Sequence, residues 1–204
     1  MSAVTEAQSL REAEQRARIV ATAERLFREI GFQKTTVADI ARDLRMSPAN
    51  IYRFFSAKSE INAAVARQLM DEVEEAASKI AQGPGTASER LRALLVAIEA
   101  MNAARYVGDR KIHDMVEAAL VENWPIISGH IDRIDAIFAA VIASGMESGE
   151  FAKGDPQLAG RLLHVAGIRF IHPRLMVECA DRPDPTIEQM IDFCLAALRA
   201  GVGS

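Results

Sequence analysis

Apolar positions recur at spacings of three and four along most of this chain, and nowhere do they alternate over the length of a strand. Ile19, Val20, Ala23, Leu26, Phe27 and Ile30 share one face of a helix expected over about Glu14–Ile30. Val37, Ile40, Ala41 and Leu44 make a second, shorter face, and Ile51, Phe54 and Phe55 a third. A longer helix is expected over about Ala57–Ala81, closed by Gly83-Pro84-Gly85. Further helices are expected over about Ser88–Ala104, Asp109–Asn123, Pro125–Ser148, Pro156–Ala180 and Pro185–Ala200. Pro173 falls inside the fourth of these, where a proline kinks or breaks a helix. The pattern predicts an all-α fold of about nine helices, or ten if the helix containing Pro173 is broken. A small N-terminal three-helix domain over residues 13–60 precedes a larger helical bundle over residues 61–204, and residues 1–12 are expected to be disordered.

The two short faces carry the local chemistry. Thr36 is a good N-cap, with Asp39 three positions on, where a capping box places an acid. Ser47 is the next N-cap, and Pro48 sits at the first helical position, where its missing N–H costs nothing. The two helices are joined through Arg45 and Met46, which is helix-turn-helix spacing. Pro48, Ala49, Asn50, Tyr52 and Arg53 then point away from the buried side. Small Pro48 and Ala49 admit close approach to a duplex. Asn50 suits adenine, Arg53 and Arg45 suit guanine, and Tyr52, Lys58 and the hydroxyls of Thr36 and Ser47 suit phosphates. The plainer alternative is a helical hairpin with ordinary caps and a solvated face.

The run from Gly31 to Lys58 resembles the DNA-binding region of the TetR family of transcriptional regulators. The resemblance rests on Leu26-Phe27-Arg28-Glu29-Ile30-Gly31-Phe32, Thr35-Thr36-Val37, Ile40-Ala41, Met46-Ser47-Pro48, Ile51-Tyr52, Phe54-Phe55 and Lys58, and covers Ala17 to Ile61. One departure is Leu44-Arg45 in place of the small residue and glycine common in that turn. Arg45 or Met46 must then adopt the turn geometry. Beyond Ile61 only length and helical layout are similar. The resemblance implies a homodimer built through the helices at 156–180 and 185–200, whose apolar residues cover more than one face. It also implies a pocket for an unknown small-molecule effector among the middle helices. Met101, Tyr106, Met115, Trp124, His130, Ile134, Phe138 and His164 are the candidate linings, and each reads first as ordinary core. Arg105, Arg161 and Arg169 are expected to pair with Glu99, Glu117 or Glu178 or to face an acidic effector.

Charge at first opposes a nucleic-acid partner, because the net is −4. Its distribution does not. Residues 1–60 hold ten Lys/Arg against eight Asp/Glu, and residues 61–204 hold fourteen against twenty. The small positive excess predicts few phosphate contacts per subunit and a requirement for two subunits. Chemistry beyond binding is not indicated. His113, His130, His164 and His172 are scattered without Glu-x-x-His spacing, and no zinc spacing, nucleophile elbow or phosphate-binding glycine loop is present. No cofactor, metal or catalytic residue is expected. The N-terminus lacks the apolar core of a leader, and no run is long enough for a bilayer, so a cytoplasmic chain with reduced Cys179 and Cys194 is expected. The competing function is an all-helical protein-interaction module or small-molecule carrier without DNA binding.

Overall fold

A computed structural model describes residues 3–106, 124–182 and 184–201. Nine α-helices and no strands occur among the described residues: α1 (Ala3–Ile30), α2 (Val37–Asp43), α3 (Pro48–Tyr52), α4 (Lys58–Ala81), α5 (Ala87–Tyr106), α6 (Trp124–Glu147), α7 (Pro156–Ile171), α8 (Pro173–Glu178) and α9 (Ile187–Ala200). The all-α expectation holds. The helix expected over Asp109–Asn123, with Met115, lies outside the described residues, as do the side chains of Tyr106 and Trp124. The chain falls into two compact units, and the boundary lies within α4. Among the described residues the first unit holds 3–69 and 124–126, and the second holds 70–106, 127–182 and 184–201. No described helix is long and apolar enough to cross a membrane.

In the first unit, Ile19, Ala23 and Phe27 of α1 are fully buried together with Ile40 of α2, Ile51 of α3, and Ile61 and Val65 of α4. Four helices thus supply one core. Truncating a buried phenylalanine such as Phe27 costs about 3–5 kcal/mol, a large share of the stability of a unit this size. Gly31 ends α1 at φ 95°, its N–H donating to the Phe27 carbonyl at 3.0 Å. The buried Thr35 hydroxyl donates back to the Gly31 carbonyl at 2.8 Å. Phe32 then meets Phe27 edge to face at 5.2 Å.

The second unit packs α5, α6, α7 and α9 with the later part of α4 around one apolar cluster centred on Leu91, Leu94, Leu95, Phe138 and Ile142. Its end near residue 150 is tightly bound. The Glu150 carboxylate accepts the N–H groups of Ala87 and Ser88 at 2.7 and 2.9 Å, capping α5 from 63 and 62 residues away. Arg199 donates to the Ser88 hydroxyl at 3.0 Å, and Arg90 reaches Ser144 at 2.7 Å and the Ala81 carbonyl at 2.8 Å. Gly160 lets α7 approach α6 closely. A Cβ there would stand 2.9 Å from the Asp135 carbonyl oxygen and 3.0 Å from the Ala139 nitrogen.

Two expectations change, and one left open is decided. α1 is helical from Ala3, so residues 1–12 are not wholly disordered. The stretch is rich in Glu, Gln, Arg and Ala, which favour helix without any apolar face to announce it. Pro173 breaks the helix at 156–180 in two: His172 takes φ −84°, ψ 121°, the extended conformation that a following proline favours, and Pro173 opens α8. Of the expected arginine partners, Glu117 lies outside the described residues, and Arg105, Arg161 and Arg169 make no pair with Glu99 or Glu178 among the described ones. Arg105 pairs with Glu72, Arg169 donates to the Asp184 carbonyl at 2.8 Å and to that of Arg182, and Glu178 is taken by Arg174 at 2.7 Å, while Arg161 is exposed. Those partners are set by tertiary packing and by i,i+4 geometry, not by nearness in sequence to an apolar stripe.

Candidate nucleic-acid interface

α2 begins with a complete capping box. The Asp39 N–H donates to the Thr36 hydroxyl oxygen at 3.1 Å, and the Thr36 N–H donates to the Asp39 carboxylate at 2.9 Å. The Thr36 hydroxyl also donates to that carboxylate at 2.6 Å. These bonds hold the Asp39 carboxyl below its ordinary range, the Thr36 hydroxyl contributing most. The hydroxyl proton of Thr36 is therefore already committed to the cap.

α2 ends in a Schellman turn. The Met46 N–H donates to the Ala41 carbonyl at 2.8 Å and the Arg45 N–H to that of Arg42 at 3.1 Å. Arg45 occupies the left-handed position at φ 54°, where helices ordinarily place glycine. The turn that lacks glycine is thus made by Arg45 itself, and its side chain is exposed.

α3 follows at once. The Asn50 N–H donates to the Ser47 hydroxyl at 3.3 Å, and Pro48 occupies the first turn. Ile51 and Phe55 are buried and anchor the inner side. Ser47, Pro48, Ala49 and Arg53 are exposed, and Tyr52 is 51% exposed. Asn50 is half-buried, with the Arg53 guanidinium 3.5 Å from its side-chain oxygen. Seven of the nine residues named from the sequence fall within Arg45–Arg53 and are exposed or half-buried, and Thr36 is exposed at the start of α2. Lys58 differs: it is half-buried, and its ammonium donates to the Phe32 carbonyl and sits 4.3 Å from the centre of the Phe32 ring.

Arg16 of α1 braces the far end of α3. Its guanidinium donates to the Phe54 carbonyl and lies 4.1 Å from the Phe55 ring centre. Beyond it, Glu60 receives the N–H and hydroxyl of Ser56, both at 2.8 Å, which hold its carboxyl below the ordinary range. A groove of about 440 Å³ runs beside α3, lined by Gln8, Arg11, Glu12, Gln15 and Arg18 of α1 and by Leu44, Met46, Asn50, Arg53 and Phe54. Its α1 wall was missed from the sequence because it falls largely in the stretch expected to be disordered. The available signal was polar: Gln8, Arg11, Gln15 and Arg18 recur at helical spacing.

A family model described as bacterial regulatory proteins of the tetR family matches residues 19–65. A second, described as a tetracyclin repressor-like C-terminal domain, matches residues 87–191. The chain belongs to the TetR family of transcriptional regulators. This TetR-family regulator is 32% identical over 78 residues to the transcriptional regulator HbdR of Aromatoleum sp. (strain CIB), a stretch covering 38% of this chain and 34% of that protein. A TetR/AcrR-family regulator from Thermobifida fusca has 23% identity and a TM-score of 0.56, over 94% of this chain and 100% of the other. SmeT, the repressor of a Stenotrophomonas maltophilia multidrug efflux pump, in its complex with triclosan, has 20% identity and a TM-score of 0.67, over 93% and 92%. At these identities the two structures share the fold with the regulator.

Of the regulator's candidate effector residues, Met101, His130, Ile134, Phe138 and His164 fall in the second unit, whereas Trp124 falls in the first. Ile134 and Phe138 are buried in the second unit's apolar core, and Met101 packs against that core. His130, half-buried, has its Nδ1 2.7 Å from Glu74, which also pairs with Arg133. Burial pushes the His130 imidazole below its ordinary value, outweighing the opposite pull of Glu74. The ring is therefore neutral near pH 7, and Nδ1–H is the donor. His164, buried against Phe138, has its Nδ1 2.5 Å from Asp135. No group of three or more His, Cys, Asp or Glu suited to a metal occurs among the described residues.

Proposed function

We propose that the regulator is a homodimeric repressor that holds a near-palindromic operator and releases it when a small molecule binds the second unit. The observation that carries the reading is the exposed stretch Ser47–Arg53, presented on a helix whose caps, turn and buried side leave its polar groups outward. In this reading Asn50 pairs with adenine and Arg53 or Arg45 with guanine, while Tyr52 and Ser47 hold phosphates. Thr36 acts at the same edge mainly by fixing α2. Lys58 serves by tying the start of α4 to Phe32.

The partner subunit is supported by the outward faces of α7 and α9. Leu158, Leu162, Val165 and Phe193 are exposed, Val165 by 69% and Phe193 by 76%. A second copy docked there buries them and sets two reading heads on one duplex. The effector acts through its different affinity for the DNA-competent and DNA-released states, transmitted by α4. Its place is among Met101, His130, Ile134, Phe138 and His164. The protein acts in the cytoplasm and catalyses no reaction. The similarity of SmeT, a repressor seen with triclosan, supports an effector-released repressor for this chain.

The test is fluorescence anisotropy with DNA from upstream of the chain's own coding sequence. Binding should involve two protomers per duplex and weaken steeply as salt rises. A chain that is folded and dimeric yet shows no preference for that DNA over unrelated duplex would refute the operator reading and favour a protein-interaction module.

A further inference from the structure

The arginines of the first unit divide into two groups. Arg25 pairs with Glu29 and Asp43, Arg28 with Glu24, and Arg42 with Asp39. Arg11, Arg16, Arg18, Arg45, Arg53 and Arg67 make no ion pair among the described residues, Arg16 being held instead by the Phe54 carbonyl and the Phe55 ring. Three of these six, Arg11, Arg18 and Arg53, line the groove between α1 and α3, where Glu12 is the one acid among the lining residues. The division is not for want of acids. Glu14 precedes Arg18 by four positions, the spacing at which Glu24 takes Arg28 and Glu75 takes Lys79. Arg18 turns instead to Gln15, at 3.2 Å.

Three guanidinium groups gathered in one concave surface repel one another and disfavour the fold slightly unless an anion enters. Their surroundings fit a polyanion. Gln8, Gln15 and Asn50 add neutral polar groups, and the groove opens on the side of α3 that bears Asn50 and Arg53. Seven residues separate Arg11 from Arg18, about 10 Å along a helix. Phosphates on one DNA strand are spaced about 3.4 Å along the axis, so the two side chains reach different phosphates.

We propose that the N-terminal half of α1 is a second DNA-contacting element, in which Arg11 and Arg18 hold backbone phosphates flanking the bases read from α3. The proposal rests on the operator-binding reading and adds to it a sequence-independent anchor from a helix outside the helix-turn-helix. Glu12, in the same groove, opposes the phosphates.

The experiment measures affinity against salt for the full chain, for Arg11→Ala, Arg18→Ala and Glu12→Gln. The probes are the upstream duplex and a scrambled duplex of about 30 base pairs. Each lost arginine removes two phosphate contacts per dimer and lowers the log–log salt slope by about 1.8. Between about 50 and about 200 mM salt, the parent should therefore lose about twelvefold more affinity than either arginine variant. The arginine variants should weaken binding to both duplexes alike, and Glu12→Gln should tighten it. These side chains are exposed, so thermal melts should match the parent and exclude misfolding as the cause. Unchanged slopes with intact operator binding would overturn the proposal and leave the operator reading standing. Failure of the parent to bind either duplex would overturn both.

Discussion

Replacing Arg45 by alanine and by glycine separates a backbone effect from a side-chain effect at one position of the reading head. At φ 54° a residue with a Cβ is strained by about 1–2 kcal/mol relative to the right-handed form. Glycine removes that strain but gives the unfolded chain more freedom, which returns about 0.4–1 kcal/mol. The two Schellman hydrogen bonds use backbone atoms and survive both substitutions. The exposed side chain makes no ion pair that would be lost. Arg45→Gly should thus be more stable than Arg45→Ala by about 0.5–1 kcal/mol, which for a chain of this length is about 1–4 °C in Tm. Scanning calorimetry reads that difference. Anisotropy with the upstream duplex reads the other half: the parent should bind more tightly than either variant, and the two variants alike. A glycine variant no more stable than the alanine variant would refute the strain argument. Equal DNA affinity in all three would refute the contact.

Other outcomes follow from packing and titration. Gly160→Ala forces backbone apart between α6 and α7 and should cost about 1–3 kcal/mol, whereas Gly167→Ala meets only the ends of Leu95 and Met190, at 3.3 and 3.6 Å, and should be neutral or stabilising; equal melts would remove the distinction. Phe193→Glu should shift the chain from dimer to monomer by light scattering while leaving its helicity intact, and an unchanged mass would place the dimer contact elsewhere. Burial, reinforced by Arg174 at His172, lowers the imidazoles of His130 and His172 below 6.5. The unfolded chain therefore takes up protons first, and stability should decline as pH falls through 6.5 towards the lowered values of the folded rings. His172→Gln should flatten that decline; an unaltered pH slope would show that this ring titrates normally.

The reading head was legible because its instructions are local. Thr36 with Asp39 and Ser47 with Pro48 each specify their own turn of helix, and buried Ile51 and Phe55 agree with them, while Phe54 is only half-buried and lines the groove. The turn between them was legible only as a choice between Arg45 and Met46, since either could adopt the left-handed form. The first half of α1 was missed for the converse reason. Polar helix formers carry no periodic apolar signal, so Gln8, Arg11 and Gln15 looked like a solvated tail. The break at Pro173 was foreseen as one of two outcomes, and packing decided it. The partners of Arg105 and Arg169, and the reach of Glu150 to Ala87, join residues far apart in the chain, and no local pattern encodes such pairs.

The attachment of Glu150 to the start of α5 has a mechanical consequence for the second unit. Near residue 150, α5, α6 and α9 are joined by Glu150 on Ala87 and Ser88, by Arg199 on Ser88, and by the Ala152 N–H on the Leu198 carbonyl at 3.0 Å. His130 lies 15 residues before Gly145 on α6, about 22 Å along its axis. A small rotation at the bonded end becomes a larger displacement at the opposite end, where His130 and Arg133 hold Glu74 of α4 and Arg105 holds Glu72. Movement of α4 against α5 and α6 must therefore exchange those ion pairs, while the bonds near residue 150 keep the helices in register.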